Sequence, residues 1–222
     1  MEDVQLVVPP ELGSEMSGPT DPIPYYLRGW GVGKLFRRRI EMGLEMLPLP
    51  PGARVLEVGY GAGLVLYNLA RRGARVHGLD LDADPEAIGG KLRRLGVEAR
   101  LVRGSVLDMR EAYGDGAFDA VVCFSTLEHL PEAGAALDEM DRVTASGGHL
   151  LLGMPAVNSF MEVAFRAIGF RNIDHHHVTT PSQVWELIRG QGARWEWSSR
   201  KLPAAAPFGA ALYHTFLLRK RG

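Results

Sequence analysis

Three glycines at alternate positions follow an acidic residue in a segment that is suited to ligand binding. Residues 55–63 read VLEVGYGAG, which gives the pattern E-x-G-x-G-x-G before a helical stretch. Glycines in such a turn permit left-handed backbone and let a ligand approach the amides at a helix N-terminus. The dinucleotide fingerprint G-x-G-x-x-G would require glycine at position 64, where this chain has Leu64. The spacing predicts a binding turn of another kind, with a purely structural turn as the alternative.

A second acid lies where an adenosine ribose would need one. Asp80 ends the next apolar run, 17 residues after Gly63. A carboxylate at the end of this strand can accept hydrogen bonds from both ribose hydroxyls. The alternative is that Asp80 or one of its neighbours, Asp82 and Asp84, caps the helix that follows.

Short apolar runs alternate with helical stretches through the middle of the chain and must position these residues. Strands that are continuous apolar blocks, each followed by a helix, are typical of a parallel sheet covered on both faces. A helix before this region and an antiparallel edge hairpin after it complete the prediction. The predicted strands are 54–58, 75–80, 99–103, 118–124, 149–154, 194–199 and 211–218, and the predicted helices begin at 35, 64, 85, 133 and 181.

Five short segments follow one another in a characteristic order. They are VLEVGYGAG (55–63), GLDLD (78–82), RGSVLDM (103–109), FDAVVCFSTLEHLP (118–131) and DRVTASGGHLLL (141–152). Together they resemble the class I S-adenosylmethionine-dependent methyltransferases, in the small-molecule branch that includes quinone-biosynthesis enzymes. The resemblance implies an α/β fold with a Rossmann-like, seven-stranded, mostly parallel sheet, an antiparallel last strand and helices on both faces. It also implies S-adenosyl-L-methionine as cofactor and methyl transfer to an O, N or C atom of a small molecule.

The resemblance also implies which residues bind the cofactor. The glycine turn would surround the methionine half, Asp80 would bind the ribose, and the other residues would border the adenine or the methionine. These residues are Glu57, Gly59, Tyr60, Gly61, Gly63, Asp80, Leu81, Ser105, Val106, Phe124 and Ser125. Tyr60 replaces the small residue or cysteine of most family members, so the turn is expected to be wider or to carry an aromatic ring into the site. Ser105 replaces a common aspartate, so adenine recognition is expected to rely on backbone groups and packing.

Two histidines are candidates for a general base. His129 follows the fourth predicted strand, and imidazole suits proton abstraction at neutral pH. The alternative is a structural role, because the LEHL sequence occurs in this branch whatever the substrate. His176, chosen from the run 175–177, is the second candidate. Three consecutive histidines do not easily converge on one ion, so no metal site is expected.

The ends of the chain differ in composition from its middle. Residues 1–27 contain five acids, five prolines and no Lys or Arg, so they are predicted to bury little and to form an arm or lid. Residues 28–222 are predicted to form one methyltransferase domain, with a cofactor half at 52–155 and a substrate-side insertion and C-terminal hairpin at 156–222. Residues 25–30 and 158–177 are expected to roof the acceptor site. The basic run 37–39 is predicted to face solvent.

Composition excludes several classes of protein. The net charge of −1 argues against a chain built to bind nucleic acid, and the N/D-P-P-Y/F signature of nucleic-acid and protein methylation is absent. One cysteine, Cys123, excludes an internal disulfide framework. No apolar run is long enough to span a bilayer and no basic start precedes one, so a cytoplasmic location is expected.

A small-molecule acceptor is the expected partner, and the oligomeric state is not predicted. The alternatives are a non-catalytic cofactor-binding scaffold or partner subunit, and a nucleotide-cofactor oxidoreductase.

Overall fold

A seven-stranded sheet carries the helices of this chain on both of its faces. The computed structural model describes residues 4–13, 26–27, 31–156 and 178–222. The helices are α1 (Val32–Met46), α2 (Leu64–Arg71), α3 (Pro85–Arg94), α4 (Ala133–Val143) and α5 (Pro181–Gly190). The strands are β1 (Arg54–Val58), β2 (Arg75–Asp80), β3 (Ala99–Arg103), β4 (Phe118–Phe124), β5 (Thr144–Pro155), β6 (Trp195–Leu202) and β7 (Tyr213–Lys220).

The strand order is β3-β2-β1-β4-β5-β7-β6, and β7 alone among these strands runs against the others. The predicted fold class is confirmed, including the antiparallel hairpin of β6 and β7. Strand β5 begins at Thr144 rather than at the predicted position 149. A register shift between Phe118 and Ala120 of β4 lets Thr144 pair with Phe118 before the regular pairing starts at His149.

The sheet has a hydrophobic core on each face. Successive residues of β4 illustrate this arrangement, because Val122 packs in one core and Val121 and Cys123 pack in the other. Helices α1, α2 and α3 cover the first face, and α4 and α5 cover the second. Strands buried on both faces are apolar at most positions, which explains why β1 and β4 are recognisable as continuous blocks. No helix in the described part of the chain is long and apolar enough to cross a membrane.

The N-terminal segment contributes to the first core, which the sequence did not indicate. Leu6 and Leu12 are 4% and 0% exposed. The Leu6 amide donates to Glu41 Oε1 at 3.0 Å, and Asn68 of α2 exchanges two hydrogen bonds with the backbone of Val7. The prediction that residues 1–27 bury little is therefore wrong for residues 4–13. Residues 14–25 and 28–30 lie outside the described part, so the predicted lid stays a prediction.

Replacing Leu12 with alanine tests this packing. We expect Leu12→Ala to lower the free energy of unfolding by about 2–5 kcal/mol, because a fully buried leucine leaves a cavity when truncated. Val7→Ala is the control, since the Val7 side chain is 36% exposed. Urea unfolding measures both variants. Equal, small losses for the two would show that this segment does not pack on the domain.

Candidate functional site

The glycine turn after β1 lies between the ends of β2 and β4. The Gly61 amide donates to Asp80 Oδ2 at 2.9 Å, which joins the turn to the end of β2. On the other side, a Cβ at Gly59 would overlap the side chain of Thr126, two residues past β4. The carboxyl ends of three neighbouring parallel strands thus meet at one edge, where ligands bind in open α/β sheets.

Two glycines of the turn have different requirements. Gly59 has a φ of 75° and must be glycine because Thr126 occupies the space of a side chain. Gly61 has a φ of 48°, and a Cβ there would meet no atom of the residues that the structure describes within 4 Å. The position of Gly61 therefore borders open space, as expected of a turn that lets a ligand approach its backbone.

Glu57 is buried beneath the turn. Its carboxyl is 3% exposed and accepts the amide of Leu66, the third residue of α2. The N-cap residue of α2 is Gly63, which has no side chain that could accept an amide of the first helical turn. Burial raises the pKa of the Glu57 carboxyl well above its usual range. Its Oε2 atom has no hydrogen-bond partner among the described residues, so it remains available to a donor on a ligand.

Asp80 organises the turn instead of capping a helix. Its Oδ1 atom accepts the amides of Asp82 and Ala83, both at 2.9 Å, and Oδ2 accepts that of Gly61. The N-cap of α3 is Asp84, whose carboxylate accepts two amides of the first turn. A carboxylate has about four acceptor positions. Asp80 therefore keeps one position for a ribose hydroxyl in this arrangement.

Tyr60 does not carry its ring into open space. The ring is 2% exposed and packs against β2 at Gly78, where a Cβ would lie 2.6 Å from Tyr60 Cδ1. Burial raises the pKa of its phenol, and the charges of Asp80 and Asp84 add to this rise. The expectation of an aromatic ring in the site is therefore wrong, and Tyr60 can offer a cofactor only its backbone. Gly78 inside a strand was the signal for this close approach.

The residues predicted for the adenine side meet at one corner. The Gly104 amide donates to the Asp80 carbonyl at 2.8 Å, which places Ser105 beside the end of β2. The Ser105 hydroxyl accepts the Leu107 amide, and Val106 is buried. Leu81 is 61% exposed, which is unusual for leucine and fits an apolar surface left for a planar ring.

Phe124 is the last residue of β4, and Ser125 follows it with a strained backbone. Phe124 is buried between α1 and β5, where Gly43 and Gly153 leave room for its ring. Ser125 has a φ of 53°, which is uncommon for a residue with a side chain, and it is held by a bond from its amide to the Gly153 carbonyl. Its hydroxyl lies 3.3 Å from the Tyr213 hydroxyl. Such local strain is typical of functional sites.

The structure distinguishes the two neighbours Glu128 and His129. Both lie in a short 3-10 turn, Leu127–His129. The backbone carbonyl of Glu128 accepts hydrogen bonds from the amides of Val178 and Thr179. His129 is exposed, whereas Glu128 is 1% exposed. The role of His129 as a base stays a prediction. His176 lies outside the described residues.

Sequence reasoning missed a polar cluster in which Tyr26, Glu128 and Tyr213 are buried and Arg39 is half-buried. Arg39 Nη2 donates to Tyr26 Oη at 2.8 Å, and its Cζ lies 5.5 Å from the centre of the Tyr213 ring. Arg39 also lies over the Phe36 ring at 4.3 Å. The prediction that residues 37–39 all face solvent is wrong for Arg39. The signal was its spacing, since Phe36, Arg39 and Gly43 fall on one face of α1.

Comparison with known proteins decides the family. A family model described as a methyltransferase domain matches residues 33–192. The chain belongs to this methyltransferase family. The resemblance to class I S-adenosylmethionine-dependent methyltransferases is thereby confirmed.

Individual relatives match the methyltransferase chain over different lengths. The ubiquinone biosynthesis O-methyltransferase of Cronobacter sakazakii is 38% identical over 101 residues, which are 45% of this chain and 41% of that protein. The 1,6-didemethyltoxoflavin-N1-methyltransferase of Burkholderia thailandensis, solved with 1,6-didemethyltoxoflavin and S-adenosylhomocysteine, superposes with a TM-score of 0.61 at 22% identity, over 83% of this chain and 79% of that one. The cyclase SpnF superposes with a TM-score of 0.64 at 21% identity, over 83% and 81%. At these identities the solved structures show the shared fold alone.

Proposed function

We propose that the chain is an S-adenosylmethionine-dependent methyltransferase that methylates an O, N or C atom of a small molecule. The observation that carries this proposal is the glycine turn held between two acids, Glu57 and Asp80. Because Glu57 occupies the Leu66 amide, the first turn of α2 already has a carboxyl group where a dinucleotide fold would bind pyrophosphate. A carboxyl group at this position favours a cofactor without a pyrophosphate, such as one that carries a sulfonium and an ammonium group. It disfavours the oxidoreductase alternative.

The residues present fit this cofactor. The unpartnered Glu57 Oε2 can accept a hydrogen bond from a ligand, and Gly61 borders space that a side chain would fill. Glu57, Gly59, Gly61 and Gly63, with Phe124 and Ser125, would hold the methionine half. Asp80 would bind the ribose, and Leu81, Ser105 and Val106 would border the adenine. When bound, the cofactor supplies an electrophilic methyl group.

The chain's own contribution is to position the acceptor and to exclude water from the sulfonium. Positioning of two bound reactants can supply about 7–11 kcal/mol of such a barrier. A general base is required only where the acceptor atom carries a proton that must leave. The acceptor is proposed to be a small molecule, as the names of the curated relatives indicate for those proteins. The cytoplasmic location stays a prediction from the sequence.

A methyl-transfer assay tests the proposed function against the scaffold alternative. The full chain is incubated with S-adenosylmethionine labelled in the methyl group and with pooled small-molecule metabolites. We expect label in a small-molecule product. Binding of S-adenosylhomocysteine without transfer to any acceptor would favour a cofactor-binding scaffold. The cyclase SpnF has the same fold, so fold alone does not decide this point.

Two aspartates of the same loop provide a matched pair of variants. We expect Asp80→Ala to weaken S-adenosylhomocysteine binding by about 1.5–3 kcal/mol, because a charge-assisted hydrogen bond to the ribose is lost. Asp84→Ala should cost about 1 kcal/mol of stability through loss of the α3 cap and leave the affinity unchanged. Calorimetric titration measures both. Equal affinities for the two variants would mean that Asp80 only organises the turn.

A further inference from the structure

Strand β6 forms one edge of the sheet, and its outer side is exposed. The strand order ends at β6, so no other strand of the described residues pairs with that side. Residues 196–199 are all exposed, and Trp197 is 49% exposed. An exposed edge strand is a template for pairing with another strand, and proteins commonly shorten, charge or cover such edges. An edge of eight residues that carries an exposed tryptophan is therefore suited to pairing with a further strand.

The backbone of β6 presents alternate residues to this outer side. The Arg221 amide donates to the Arg194 carbonyl at 2.9 Å, and the Leu212 amide donates to the Leu202 carbonyl at 2.7 Å. Both contacts join an even-numbered position of this segment to the β7 side. Because the backbone groups of an antiparallel strand alternate between its two sides, the even-numbered residues of β6 bond to β7. The odd-numbered residues therefore direct their amides and carbonyls away from the sheet.

The side chains of β6 are complementary to a second β6 that runs in the opposite direction. Glu196 and Arg200 lie two residues on either side of Ser198 and on the same face of the sheet, because side chains alternate along a strand. A two-fold axis at Ser198 places Glu196 of each copy opposite Arg200 of the other. In the same register Trp197 lies opposite Ser199, a large side chain against a small one. A parallel pairing in register would instead put like charges opposite each other, which is unfavourable.

The present ion pairs of these two residues leave room for the new one. Arg200 shares Glu45 with Arg38, so two guanidinium groups face one largely buried carboxylate. The excess positive charge favours a further carboxylate at Arg200. Glu196 meets two arginines at the end of β7 only at 3.5 and 3.6 Å, through side chains that are more than half exposed. Exposed pairs of this kind contribute little, so Glu196 gains by approaching Arg200 of a second copy.

We propose that β6 pairs with β6 of a second copy of this chain, antiparallel and about a two-fold axis at Ser198, to form a homodimer. Trp197 and Ser199 of opposite copies then exchange two backbone hydrogen bonds on each side of the axis. The two Trp197 rings lie diagonally across the axis, within reach of each other, and become buried. A two-fold axis closes the assembly at two copies. This inference does not depend on the proposed function.

Sedimentation equilibrium of the full chain, from micromolar to near-millimolar concentrations, tests the dimer. An interface of one strand per copy is small, so we expect a reversible equilibrium between monomer and dimer. Ser199→Pro should be monomeric over this range, since proline donates no hydrogen bond and is tolerated where the amide of an edge strand points outward. Ser199→Ala keeps that amide and should associate as the wild type does. Monomeric wild-type protein throughout, or wild-type association by Ser199→Pro, would overturn the proposal.

A cysteine on the axis tests the register. Ser198→Cys should form a covalent dimer with oxidised glutathione, because directly opposed residues of such a pair have Cα atoms about 4.5 Å apart, which a disulfide can span. Glu196→Cys is the control, since its two copies would lie about 13 Å apart along the strands. The native Cys123 is buried. Equal cross-linking of the two variants, or none in Ser198→Cys, would contradict an axis at Ser198.

Two charge variants provide a complementary pair. Glu196→Lys and Arg200→Glu each place like charges opposite each other in the dimer, and each should be monomeric alone. Mixed in equal amounts they should form a heterodimer, because both cross-strand pairs are then again of opposite charge. Absence of a heterodimer, with both variants folded by circular dichroism, would overturn the proposal. If Arg200→Glu unfolds beside Glu45, the variants at Ser198 and Ser199 decide the question.

Discussion

Gly61→Val is expected to abolish S-adenosylhomocysteine binding while the domain stays folded. The reason is the open space beside Gly61, where a Cβ would meet no atom of the described residues within 4 Å. A valine side chain would fill the volume that we assign to the cofactor. Isothermal titration calorimetry should show no heat of binding at millimolar ligand.

Gly96→Val is the control for backbone strain. Gly96 lies between α3 and β3, has a φ of 77°, and also has open space at its Cβ position. Both substitutions force a β-branched residue into left-handed backbone, at a cost of about 1–2 kcal/mol or more in stability. They differ in their position relative to the site. Normal binding by Gly61→Val, or loss of binding by both variants, would contradict the account of the glycine turn.

Glu128→Gln is expected to make the domain more resistant to unfolding as the pH rises. The pKa of Glu128 is raised to about 8 in the folded state by burial, whereas an unfolded glutamate titrates near about 4.3. Between these values the native state holds a proton that the unfolded chain has released. The wild-type protein therefore loses stability relative to Glu128→Gln by about 1.4 kcal/mol per pH unit from about pH 4.3 to 8.

Urea unfolding at several pH values measures the difference between the two proteins, in which the contribution of Glu57 cancels. Glu45→Gln is a control of opposite sign. Hydrogen bonds from Arg38 lower the pKa of Glu45, so its contribution is present above the unfolded value and is lost as the pH falls through the lower folded one. A difference between wild type and Glu128→Gln that does not change with pH would mean that Glu128 is ionised in the folded protein.

Local chemistry made much of the fold predictable. The strands are apolar blocks because both faces of the sheet are covered, so β1 to β4 were predicted at their observed limits. Helix α5 begins with Thr180, Pro181 and Gln183 as a capping box, as its sequence predicts. The glycine turn and Asp80 were found because their spacing is fixed by one strand–turn–helix–strand unit.

Features that depend on contacts distant in sequence were not predictable. Arg39 belongs to a basic run, and only its contact with Tyr213 of β7 shows that one member turns inward. Tyr60 was expected to widen the turn or to enter the site, and only its packing on Gly78 of the neighbouring strand β2 shows that its ring is buried. Glu57 was assigned to the cofactor alone, since its bond to the Leu66 amide is visible only in three dimensions. In each case the deciding contact is with a residue of another element of the fold.

Calorimetric titration of the full chain with S-adenosylhomocysteine and, separately, with NAD tests the central claim most directly. The spacing of the glycine turn and the Glu57 carboxyl, which occupies the Leu66 amide of α2, favour the first ligand, whereas Asp80 would bind the ribose of either one. The account predicts saturable binding of S-adenosylhomocysteine and weak binding of NAD. Tight binding of NAD with no binding of S-adenosylhomocysteine would contradict it.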